Sequence, residues 1–187
     1  MSRIEELRKK LGIKTPPDTK GIFRKELRLN IPLVNKLVDF GFCHIDPKKF
    51  EELILSIFEV FGFKGQLTPV TGDEGIDIIL NDPDKTKIIV QCKCYAEEQK
   101  ITPKEVREFV GSMVHANAKY GFFVTSGSFS EQAADFCKNK EICLINGSRL
   151  KKLFLLAVTV ENNKKPYEEA LRNPTSFIFD SLDSFSL

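Results

Sequence analysis

Asp77 lies in the stretch Thr71-Gly72-Asp73-Glu74-Gly75-Ile76-Asp77-Ile78-Ile79-Leu80, and fourteen residues later comes Gln91-Cys92-Lys93. These residue types suit a divalent cation and the hydrolysis of a phosphodiester. Such chemistry needs hard oxygen ligands around the cation, room for a phosphate oxygen, and an attacking water whose pKa is lowered. The Asp77 carboxylate and the Gln91 amide oxygen fit the ligand role, and the backbone carbonyl of Cys92 offers a third oxygen. Lys93 could orient the nucleophilic water and offset charge in the transition state.

The chemistry depends on which side chains share a face. A strand alternates with period two, so Gln91 and Lys93 project together while Cys92 and Cys94 point the other way. The run Lys87-Ile88-Ile89-Val90 is β-branched and apolar, as expected of a buried strand, so an amide and an ammonium at its end need a reason.

The surrounding pattern predicts the elements that hold them. Asp46 and Pro47 open a helix, and Phe50, Leu53, Ile54, Ile57, Phe58 and Phe61 give it an apolar stripe that ends at Gly62. Three strands are expected at 66–70, 75–80 and 87–94, as a meander turning at Asn81-Asp82-Pro83-Asp84. Thr102-Pro103-Lys104-Glu105 is a capping box that starts a helix with a core side of Val106, Phe109, Val110, Met113 and Val114. A strand over 120–125, a helix from Ser130 to about Lys138, a strand over 142–145 and a helix from Ser148 to about Ala157 follow. This order, αβββαβ and onward, implies an α/β fold in which a mixed sheet carries helices on both faces.

Three regions are expected. Residues 1–45 read as a small helical N-terminal segment, with helices near 2–11 and 20–40, the latter broken at Pro32. Residues 46–158 form the main domain. Residues 159–187 form a tail, with a helix near 167–171 and a Ser/Phe-rich end whose Phe177, Phe179 and Phe185 are expected to pack on the domain.

The 187 residues suffice for one sizeable core. The formal net charge is only +2, but residues 1–45 carry ten Lys/Arg against five Asp/Glu. Phosphate contact by that segment is one reading and a solvated helical face is the other. No run is long and apolar enough for a membrane span, and the charged start Met1-Ser2-Arg3-Ile4-Glu5-Glu6 does not read as a signal peptide. Cytoplasmic placement is expected, with the five cysteines (Cys43, Cys92, Cys94, Cys137, Cys143) as reduced thiols.

The combination of Asp77 with Gln91-x-Lys93 resembles the PD-(D/E)xK nuclease motif in its D-QxK variant, as in Mrr-type restriction endonucleases. The likeness extends from Phe50-Glu51 and Gly62-Phe63 through Gly111 and Phe123-Val124-Thr125-Ser126 to Leu144-Ile145-Asn146-Gly147 with Leu150. It implies a restriction-endonuclease-like fold, cleavage of DNA in restriction or DNA processing, and Mg2+ as cofactor with Mn2+ able to substitute. It also implies that Glu51 approaches this metal or a second one, and that Thr125-Ser126 lies near the strand end. Glu74 departs from the family's frequent second glycine, and short helices stand in place of its separate winged-helix module.

Plainer roles stand beside each of these residues. Asp73 and Glu74 suit a turn, Asp77 a strand-end cap, and Glu51 or its competitor Glu52 the positive end of a helix. His44 and His115 have no partner pattern. A non-cleaving nucleic-acid-binding or assembly module on the same fold is the alternative from another class. A structure-selective junction nuclease is the alternative among enzymes, and it would require a homodimer to cut two strands symmetrically.

Overall fold

The computed structural model describes residues 42, 43, 45–69, 75–96, 98–163, 165–168 and 170–183. The expected helices near 2–11 and 20–40 lie outside these residues, as do His44, Asp73, Glu74 and Phe185. A five-stranded mixed sheet forms the centre, in the order β1 (Lys64–Leu67), β2 (Ile78–Asn81), β3 (Lys87–Lys93), β5 (Tyr120–Thr125), β7 (Ile142–Ile145). The first three strands make the antiparallel meander that the turn residues suggest, whereas β3, β5 and β7 run parallel. A parallel pair needs a crossover, which helices supply here.

Helix α1 (Pro47–Val60) begins as its sequence dictates. The Asp46 side chain accepts hydrogen bonds from the backbone N–H groups of Lys48 and Lys49, with Pro47 in the first turn. Its stripe of Phe50, Leu53, Ile54, Ile57 and Phe58 is buried. Helix α2 (Pro103–His115) has the expected capping box, in which Thr102 and Glu105 satisfy each other's backbone N–H groups. Helix α3 (Glu131–Cys137) is capped by Ser130, and α4 (Gly147–Asn162) by Asn146.

Two apolar layers sandwich the sheet. On one face, α1 and α4 cover Ile78, Leu80, Ile88, Val90, Cys92, Phe122 and Val124. On the other, α2 and α3 cover Ile89 and Phe123, with Phe109, Met113 and Ala133 in contact. The alternation of Ile88, Val90 and Cys92 with Ile89 along β3 is the period of two made visible. Gly121 is required by this packing, because a Cβ there would lie 2.6 Å from Met113 Sδ and 2.7 Å from Phe109. Without that side chain, α2 settles close against β5.

The strand limits differ from the sequence expectation. Strand β1 starts at Lys64, opposite Asn81, and stops before Pro69, which has no N–H to give. Strand β2 begins at Ile78 because Gly75 sits in a turn at φ 78°. Helix α4 runs past Ala157 to Asn162, since Val158 and Val160 are buried. The helix expected near 167–171 is instead a pair of short 3-10 turns, Lys165–Tyr167 and Ala170–Arg172, in a stretch broken by Pro166. A second sheet, β4 (Lys100–Ile101) paired in parallel with β6 (Ser128–Phe129), had no readable signal in so few residues.

The tail packs, as expected. Helix α5 (Pro174–Asp183) buries Ile178 and Leu182 completely. Phe177 meets Phe61 at 5.9 Å between ring centroids, and Phe179 meets Phe122 at 5.6 Å. Phe122 therefore links the sheet to α1 through Phe58, at 4.8 Å, and to the tail through Phe179. Replacing Phe122 by Ala is expected to cost about 3–5 kcal/mol. Val114, expected on the core side of α2, is instead 78% exposed, and Val114→Ala is expected to stay within about 0.5 kcal/mol of wild type. Equilibrium denaturant unfolding of both variants checks this contrast.

Candidate active site

The end of β3 is where the ladders part. The last β2–β3 pair is Ile78 with Val90, yet β3 runs on to Lys93 beside β5. Just beyond that pair, the Asp77 N–H bonds the Val90 carbonyl at 3.0 Å, and the Asp77 carbonyl accepts from the Thr68 N–H at 3.0 Å. The Thr68 hydroxyl donates to the Ile76 carbonyl. Thus the backbone of Asp77 is held from both sides.

Its side chain then turns across β3. Asp77 Oδ2 accepts from the Cys92 backbone N–H at 2.6 Å, a short charge-assisted bond. This places the carboxylate over the middle of Gln91-Cys92-Lys93. One oxygen is engaged by the peptide, as in a strand-end cap. Both sequence readings of Asp77 are compatible in one conformation.

Gln91 is buried, 8% exposed, and its Oε1 has no hydrogen-bond partner among the described residues. An unsatisfied buried amide oxygen is costly, about 1–3 kcal/mol. Gly75 forms one wall of its pocket, since a Cβ at Gly75 would lie 3.3 Å from Gln91 Nε2 and 3.6 Å from Ser112 Oγ of α2. A glycine serves twice there, for its positive φ and for the space it leaves. Gln91 accordingly lies on the α2 face of the sheet, with Cys92 in the opposite layer, as the period of two requires.

Lys93 is half-buried and belongs to the same end of β3. Its carbonyl accepts from Thr125 Oγ1 at 2.9 Å, the Ser126 N–H at 3.2 Å and the Tyr95 N–H at 3.1 Å. Thr125 and Ser126 thus reach the site as backbone clamps. Glu105 of α2 is within electrostatic reach of Lys93. Burial pushes the Glu105 carboxyl up, but hydrogen bonds from Thr102 and Tyr95, with the Lys93 charge, hold it below the usual carboxylate range.

Glu51 of α1 is half-buried while Glu52 is exposed. The distinction matters, because only Glu51 is within electrostatic reach of Cys92. Burial pushes the Cys92 thiol well above its ordinary value, and the Asp77 and Glu51 carboxylates push in the same direction. Asp77, just before β2, and Glu51, on α1, thus both act on Cys92, which lies between Gln91 and Lys93 on β3. Cys94, in the other layer, points its Sγ at the carbonyls of Phe42 and Ile45 at 3.3 Å, which ties the start of α1 to this end of the sheet. His115, at the far end of α2, is not among the site groups.

The donor set fits a hard divalent cation better than a soft one. No cluster of three or more His, Cys, Asp or Glu occurs among the described residues. What the site offers is oxygen from Asp77, Glu51 and the Gln91 amide, and the orphaned Gln91 Oε1 is the atom a cation would satisfy. Tyr95, Thr102 and Gly75 were not singled out as site residues from sequence. Tyr95 could have been found, since it continues the period of two from Gln91 and Lys93.

A family model described as a restriction endonuclease matches residues 43–154. Among curated proteins, the type IV methyl-directed restriction enzyme EcoKMrr of Escherichia coli (strain K12) is 32% identical over 119 residues, which are 59% of this chain and 38% of that protein. The chain thus spans well under half the length of this relative. Among solved structures, the DNA modification-dependent restriction endonuclease AspBHI is similar with a TM-score of 0.50 at 16% identity, over 98% of this chain and 48% of that one. The MspJI restriction endonuclease, solved in complex with a 27-mer oligonucleotide, gives 0.48 at 24% identity over 84% and 39%. The matched residues run from the start of α1 into α4 and include all of the site, so the chain belongs to the Mrr-type restriction endonuclease catalytic-domain family.

Proposed function

We propose that this chain hydrolyses phosphodiester bonds of DNA as an endonuclease of a restriction or defence system, with Mg2+ as cofactor and Mn2+ able to replace it. The observation that carries the reading is the pairing of a pinned carboxylate, Asp77, with a buried and unsatisfied amide oxygen, Gln91 Oε1, at one strand end. A buried acceptor with no protein donor is one that a bound cation or water would satisfy.

Asp77, Gln91 Oε1 and the Cys92 carbonyl would hold the ion, with Glu51 approaching from α1. When bound, it would supply Lewis acidity to a phosphate oxygen and lower the pKa of a bound water. The protein's own part is positional. Asp77 keeps its direction because its carboxylate is fixed on the Cys92 N–H, and Gln91 keeps its own because Gly75 and α2 confine it. Lys93 carries a positive charge to the same end of β3, where it can orient water and offset charge that develops on the phosphate. Two strands would be cut by two copies of the chain.

Plasmid cleavage, with unmodified and methylated DNA and with Mg2+, Mn2+ or chelator, tests the reading. Asp77→Asn retains an acceptor for the Cys92 N–H and so is expected to stay within about 1 kcal/mol of wild type, while cleavage falls by roughly a hundredfold or more. Lys93→Ala is expected to lose cleavage to a similar degree with little change in stability. Wild-type rates in both variants would sink the assigned site. Salt-sensitive DNA binding without metal-dependent cutting would instead favour a non-cleaving module.

Gln91→Glu gives a separate readout. A second carboxylate buried beside Asp77 is expected to destabilise the metal-free protein by like-charge repulsion and desolvation, and added Mg2+ or Ca2+ is expected to restore the melting temperature. Thermal melts with and without the ions check it. A Gln91→Glu melting temperature indifferent to divalent cations would mean that Gln91 is not a ligand.

A further inference from the structure

Glu105 has more bonds than a helix cap needs. Its Oε2 accepts from both the backbone N–H and the hydroxyl of Thr102, each at 2.8 Å. Its Oε1 accepts from the hydroxyl of Tyr95 at 3.1 Å. The first two bonds complete the capping box, whereas the third comes from the segment that follows β3. Tyr95 is in turn fixed, since its carbonyl accepts from Ser126 Oγ at 2.7 Å and its N–H bonds the Lys93 carbonyl at 3.1 Å. The ring of Tyr95 packs against the α2 layer, which is the face on which Gln91 lies. A carboxylate held from three directions therefore stands beside the residue two positions beyond Lys93.

We propose that Glu105 is a positioning residue for Lys93, its anchored carboxylate drawing the Lys93 ammonium to the α2 side of β3, beside Gln91. The inference rests on the reading of Lys93 given above and deepens it. Two structural features support it. The Lys93 backbone is clamped by three donors at its carbonyl, so only the direction of the side chain is left to fix. In addition, Glu105 occupies the first turn of α2, where the helix dipole is positive and would by itself repel an ammonium. A carboxylate there turns local repulsion into attraction. Tyr95, two positions beyond Lys93 and in the α2 layer, hydrogen-bonds Glu105, so the carboxylate stands at the Lys93 end of the strand.

Glu105→Gln separates the charge from the hydrogen bonds, because glutamine also serves at this position of a capping box and its amide can still bond Tyr95. The expected result is a fall in kcat of roughly tenfold or more, with KM for plasmid DNA unchanged and the melting temperature within about 2 °C of wild type. Ser130→Ala, which weakens the cap of α3 away from the site, controls for stability and is expected to leave kcat unchanged. The side-chain amine signal of Lys93, followed by nitrogen NMR and assigned by its loss in Lys93→Ala, is expected to shift in Glu105→Gln and not in Ser130→Ala. An unmoved Lys93 signal, or wild-type kcat in Glu105→Gln while Lys93→Ala is inactive, would overturn the proposal and leave the nuclease reading intact. Full cleavage by Lys93→Ala would remove the nuclease reading of Lys93 itself, while the NMR arm would still decide whether Glu105 directs the side chain.

Discussion

The bond from the Cys92 N–H to the Asp77 carboxylate is the interaction on which the site depends. Strand β3 pairs antiparallel with β2 and parallel with β5, and these two ladders end at different residues. Cys92 lies beyond the last β2 rung, so its N–H would be left without a backbone partner on that side. A side chain fills the vacancy. The same bond that completes the strand thus fixes the Asp77 carboxylate beside Gln91 and Lys93. Stability and chemistry share one contact, worth about 1.5–3 kcal/mol as a hydrogen bond to a charged group.

The layers on either side make that strand end rigid. One is aromatic and deep, with Phe122 of the sheet in contact with both Phe58 of α1 and Phe179 of α5. The other is smaller, and Gly121 lets α2 pack close against β5 through Phe109 and Met113. Glu51 arrives from the first layer, and Glu105 with Ser112 from the second. The site is therefore a seam between two packed faces, with β3 as the element common to both. Thr125 at the end of β5, with Ser126 and Tyr95 just beyond their strands, clamps the backbone here, while Glu51, Glu105 and Lys93 ride on helices and a strand and Asp77 immediately precedes β2.

The neutral amide at Gln91 has a physical consequence. Asp77 and Glu51 already place two carboxylates within reach of Cys92. A third acidic group at position 91 would add repulsion in the absence of a cation. An amide offers an oxygen ligand without that charge, at the cost of a buried unsatisfied acceptor. The family to which the chain belongs accounts for the module and its fold, and this donor set is how the present sequence fills it.

Much was legible in the residues themselves. Asp46-Pro47 set the start of α1, Thr102-Pro103-Lys104-Glu105 that of α2, and the period of two put Gln91 and Lys93 on one face, because caps and alternation are local properties. The α/β class, a mixed sheet with helices on both faces, followed from how such elements must bury their apolar sides. Other features were decided only by tertiary structure. Sequence left Glu51 and Glu52 as rivals, and packing of α1 exposed one and half-buried the other. It left Asp77 as either cap or ligand, and the parting of two ladders made it suited to both. It read Glu105 as a cap alone, since nothing local links it to Tyr95, ten residues earlier. Strand ends shifted by a few residues for the same reason, because a strand stops where its partner does. Local signals determined which residues this protein could use, and the meeting of β3 with both helical layers decided which of them face one another.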